Sequence, residues 1–141
     1  MSQVSNYERA RVKPGRYEFK FQFFQTQLFM GRWPKLVLWF SILDYGDYNG
    51  GQLPRYGNLE KLKGKPGRSG KFVLGRYGDF YLEYLNLFDR PSRNEIIDWD
   101  LYRQNIIVGE VCDVVQNHKS RKYHRSLVYS KIDDLIKVKT I

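Results

Sequence analysis

Cysteine is almost absent from this sequence: Cys112 stands alone, so no disulfide can form within the chain and no CxxC pair exists to hold a metal. Histidine is nearly as scarce, with only His118 and His124, and no HExxH pattern occurs. Lys119, Arg121, Lys122 and Arg125 crowd both imidazoles, where their charge disfavours a bound dication. Neither a metal nor a cofactor is expected. Acidic residues are in deficit, 15 against 24 Lys and Arg, which leaves a net charge of +9. Such a field concentrates polyanions and speeds their encounter. Nucleic acid therefore ranks first as partner, an acidic protein second and an anionic membrane last. No apolar run reaches membrane-spanning length, and the leading MSQVSNYERARVK lacks the apolar centre of a signal peptide. The expectation is a reduced, soluble, cytoplasmic protein with no membrane partner: a flexible segment over 1–12, then one domain over 13–141.

What the chain does hold is aromatic side chains beside cations. The 11 Tyr, 9 Phe and 3 Trp recur in Arg16-Tyr17, Arg32-Trp33, Arg55-Tyr56, Arg76-Tyr77 and Lys122-Tyr123. Aromatic side chains next to cations suit a boundary where the ring is covered and its polar edge stays wet.

Periodicity gives a mainly β chain with a short helix. Tyr17, Phe19, Phe21 and Phe23 alternate with Glu18, Lys20 and Gln22, which predicts a half-buried strand over Gly15 to Phe29, with a bulge or bend near Phe24. KLVLWFSILDYG, from Lys35, is a strand buried on both faces, and DYNGG closes the following turn. Gly51 to Leu59 is a weaker third strand, confined by Pro54 to an edge or a bulge. EKLKGKPGRSGKF has no periodicity and is expected as a flexible basic loop. Its glycines and lysine lack the GxxxxGK[ST] spacing of a phosphate loop.

DFYLEYLNLF places Phe80, Tyr84 and Leu87 on one helical face, with Asp79 as N-cap; partial alternation leaves a strand reading open. Ile96 to Gln104 fits a helical turn or an extended piece. Ile106 to Gln116 is a β-branched strand in which Gly109 marks a bulge or close packing. Ser126 to Ile141 is a strand or a strand turning into a helix, with Asp133 and Asp134 exposed in a turn or at the helix start.

The order β-β-β-α-β-β is compatible with the oligonucleotide-binding (OB) barrel. GRYEFKF from Gly15, PKLVLWFSI from Pro34, GDYNGG from Gly46 and VGEVCDVV from Val108 resemble OB-fold single-strand-binding accessory proteins of phage and mobile-element replication. That resemblance implies a five-stranded barrel that binds single-stranded nucleic acid, DNA before RNA, with a basic hairpin joining its last two strands. The basic insert Lys61 to Lys71 and the segment around Trp99 depart from the pattern.

Two basic windows are the candidate contacts. One holds Arg55, Lys61, Lys63, Lys65, Arg68, Lys71 and Arg76 around a single acid, Glu60; the other holds Lys119, Arg121, Lys122 and Arg125. Tyr56, Tyr77 and Tyr123 lie in or beside them as stacking faces, against the plainer reading that each covers the core. Two rivals stand beside this non-catalytic reading. One is a protein-interaction module or inhibitor acting on an acidic or nucleoprotein partner. The other, ranked lower, is a metal-dependent nuclease using Asp98, Glu110 and Asp113, although Cys112 stands where such a site would want its lysine.

Overall fold

The alternation read from the sequence becomes a sheet that curls until its edges meet. The computed structural model describes residues 11–68, 70–75, 78–88, 97–114 and 129–139. Among them lie β1 (Gly15–Phe29), β2 (Trp33–Ile42), β3 (Gln52–Asn58), the short β4 (Lys61–Leu62), β5 (Gly67–Arg68) and β6 (Phe72–Val73), α1 (Asp79–Phe88), α2 (Trp99–Gln104), β7 (Ile106–Val114) and β8 (Tyr129–Val138). The long strands form a ring of five in the order β1-β2-β3-β8-β7 and back to β1. β1 closes it because it is long enough to serve two neighbours: Gly15 to Lys20 pair with β7, and Phe19 to Phe29 pair with β2. Among the described residues, the seam between β3 and β8 is the one parallel contact, made by a single pair, Arg55 with Ile132.

Bulges decide which side chains face inward. On β1 the register shifts between Phe21 and Phe23, so Gln22 is the extra residue. The alternation therefore restarts: Phe19 and Phe21 are buried inside the ring, Phe24 joins them, and Phe23 turns outward opposite Trp39. Phe23 was expected on the inner face with Phe21. The inserted residue, whose effect is to flip every later side chain, puts it on the other. β8 carries two such shifts, which make Asp133 and Ile136 its extra residues. Asp133 and Asp134 thus sit exposed within a strand, not in a turn or at a helix start. Gly109 lies opposite these shifts. A Cβ there would come within 3.0 Å of the Asp134 carbonyl oxygen and 3.1 Å of the Phe19 ring, so the close packing read at this glycine is real.

The helices close the interior. α1 sends Phe80, Tyr84 and Leu87 inward, the face its 3.6-residue spacing predicts. The segment that the sequence left open between turn and strand is α2, fixed by Asp98, whose carboxylate accepts the Asp100 N–H at 3.1 Å. Trp99 of α2 stacks on Phe24 at 4.2 Å, and Tyr102 is fully buried against Phe88. Burial pushes the Tyr102 hydroxyl well above its usual pKa. The Tyr102 ring gains from leaving water, but its hydroxyl has no hydrogen-bond partner among the described residues, which offsets part of that gain.

The glycine-rich basic segment is a small hairpin, not an unpatterned loop. β4 pairs with β6, and β5 pairs with Gln25 and Thr26 of β1. Among the described residues, no helix is long and apolar enough to cross a membrane.

Candidate nucleic-acid interface

The outer face of the strand ring is where cations and aromatic rings meet. Register places Phe23, Gln25, Gln27 and Phe29 of β1 beside Trp39, Val37, Lys35 and Trp33 of β2. β3 adds Tyr56 and Asn58 opposite Val37 and Lys35. The Phe23 and Trp39 rings stack at 6.4 Å. Trp33 is 52% exposed and Phe29 40% exposed, and a cation lies over each: Arg32 at 4.7 Å from the Trp33 ring and Lys35 at 5.9 Å from Phe29. Lys35 also donates to the Asn58 side-chain oxygen, which ties the strip to β3.

Thr26 docks the basic hairpin against this strip. Its hydroxyl donates to the Gly67 carbonyl at 3.3 Å and accepts the Gly67 N–H at 3.2 Å. That anchor sets the Arg68 guanidinium 4.0 Å from the centre of the Phe23 ring, a contact worth about 0.5 to 1 kcal/mol at an exposed site. Lys61, Lys63, Lys65 and Lys71 project from the same hairpin into solvent. Beneath Arg68, the Gln25 side chain is 3% exposed and its Nε2 has no hydrogen-bond partner among the described residues.

The sequence-derived candidates separate. Lys61, Lys63, Lys65, Arg68 and Lys71 are exposed on the hairpin, and Tyr56 lies half-buried on the outer face. Arg55, one residue earlier on β3, points the other way. Its Nε and Nη2 donate to Glu83 Oε1 and Oε2 at 3.1 and 2.5 Å, with side-chain exposures of 16% and 7%. Glu83 also accepts the Leu135 N–H at 3.3 Å, so this pair fastens α1 across the β3–β8 seam. Burial pushes the Glu83 carboxyl up while Arg55 pulls it back, and a guanidinium stays charged at any ordinary pH. Losing the carboxylate charge would strand a buried cation, so the two stand as an ion pair. Arg76, Tyr77, Lys119, Arg121, Lys122, Tyr123 and Arg125 lie outside the described residues, as do both histidines.

Trp33, Phe29, Arg32 and Lys35 escaped the sequence-level choice of site. Their signal was present in the Arg32-Trp33 step, but charge clustering outweighed it, because the cations that join them come from different strands. The acids weighed for a nuclease are dispersed. Asp98 caps α2, Glu110 faces Arg16 at 3.8 Å, and Asp113 pairs with Arg11 at 3.3 Å. No group of three or more His, Cys, Asp and Glu side chains converges on a metal position among the described residues. No protein-family model matches this chain, and no curated protein or solved structure does either.

Proposed function

We propose that this chain is a variant of the oligonucleotide-binding barrel that holds single-stranded nucleic acid on its outer β1–β2–β3 face and catalyses no reaction. The strand order β1-β2-β3-β8-β7, with helices between the third and fourth strands of the ring, favours that fold. The observation that carries the function is the pairing of rings with cations along one face: the exposed Phe29 and Trp33 with Lys35 and Arg32, and the half-buried Phe23 with Arg68. Unpaired bases stack on such rings whatever their identity, and the adjacent cations neutralise phosphates. A duplex hides its base faces and would gain only the charge term. The sequence resemblance puts DNA ahead of RNA.

The test is fluorescence anisotropy with a labelled oligothymidylate. Affinity should fall linearly on a log-log plot against salt, and Trp33→Ala should weaken binding by about 1 to 3 kcal/mol. Absence of binding at low salt, or binding indifferent to salt, would overturn the reading. A complex with an acidic protein that survives nuclease treatment would point to the interaction module instead.

A further inference from the structure

The turn between β1 and β2 is built against its own chemistry. Met30 and Gly31 both take positive φ, 54° and 71°, and the Arg32 N–H closes the turn on the Phe29 carbonyl at 3.2 Å. Glycine or asparagine fits such a position without strain; an unbranched apolar side chain does not. Met30 is nevertheless 61% exposed, and Leu28 beside it is 41% exposed. These two side chains give the fold little burial, and as aliphatics they offer no face for a base. Strain and exposure together at a loop tip point to a contact outside the chain.

A second unpartnered feature has the matching character. α1 and β8 flank an open, mainly polar groove of about 530 Å³ in which Leu82 and Ile136 are the apolar side chains open to solvent, Leu135 being buried beneath them. Leu82 is 48% exposed. Asp79, Asp133 and Asp134 are exposed at its rim, and its one cation among the described residues, Arg55, is bonded to Glu83 while also feeling the charge of Asp133 and Asp134. The two extra residues of β8, Asp133 and Ile136, both line it, so the bulges aim an acid and an aliphatic side chain at the same space.

We infer that the Leu28–Met30–Arg32 tip of one molecule docks in the α1–β8 groove of a second copy. Leu28 and Met30 meet Leu82 and Ile136, the two apolar side chains open in a mainly polar groove, and Arg32 meets the acidic rim. In a chain of net charge +9 most of the surface repels another copy, and this groove is a place that attracts one. Tip and groove are different surfaces, so the contact runs head to tail and continues into a ring or filament. Arg32 belongs both to this tip and to the strip proposed for nucleic acid, so the test is made with nucleic acid removed.

Sedimentation velocity on nuclease-treated protein at low salt should show association that grows with concentration and weakens with added salt. Met30→Asn, a residue better suited to the turn, should leave the thermal midpoint unchanged or higher and the protein monomeric. Asp133→Lys combined with Asp134→Lys should also be monomeric. An equimolar mixture of these two variants retains one intact tip and one intact groove, and should give a species of two chains and nothing larger. A wild-type protein that stays monomeric, a Met30→Asn variant that associates like wild type, or a mixture that stays monomeric would each overturn the inference. So would a monomeric wild type whose tip binds anionic vesicles.

Discussion

Arg55 and Tyr56 are neighbours in sequence and read alike as basic and aromatic candidates, yet a strand sends them to opposite faces. Tyr56 joins the outer strip; Arg55 enters the seam and meets Glu83 in a two-pronged pair. A buried charge stripped of its partner is far costlier than an exposed one. Glu83→Ala is therefore expected to lower stability by about 3 to 5 kcal/mol, read as a reduced urea midpoint, while the exposed Glu110→Ala should change it by less than about 1 kcal/mol. Equal effects would contradict the seam role. The sequence contained both residues of the pair, 28 positions apart, with no local feature to join them.

Among the elements, β1 and α1 were legible from their periods, and β2 and β7 from an unbroken apolar run and from β-branched composition. The phase of β1 was not. A strand's alternation tells which residues share a face until a bulge, and the bulge at Gln22 is set by pairing with β2, a partner the local pattern does not contain. The hairpin over Lys61 to Val73 was illegible for a related reason: its order comes from Thr26, far away in the chain. Gly70 lets it approach, since a Cβ there would fall 2.3 Å from the Thr26 hydroxyl oxygen. Gly70→Val should push that hydroxyl out of its two bonds, which are worth about 1 kcal/mol each. Amide exchange over residues 61–73 should quicken and oligonucleotide affinity fall, while exchange in the β7–β8 pair stays slow. Unchanged exchange in the hairpin would show that Thr26 is not its anchor.

For the whole molecule, the proposed function has charge set how strongly a polyanion is drawn in and the fold set where it lands. Each phosphate neutralised on a single strand steepens the log-log salt dependence by roughly 0.7. Replacing Lys61, Lys63, Lys65 and Lys71 together by Gln should flatten the measured slope by up to about 3, whereas Trp33→Ala should weaken binding with little change of slope. If both variants alter slope alike, stacking and phosphate contact are not separable on this face. The β-rich class, a helical option over Asp79 to Phe88 and the excess of cations could be read from the chain alone, because period and net charge are sums over residues that need no partner. Tertiary structure alone decided that Arg55 is spent inside, that the basic segment is a pinned hairpin, and that Phe23, Lys35 and Trp33 share one surface. Those facts depend on register between strands, which is fixed by burial and hydrogen bonding at long range.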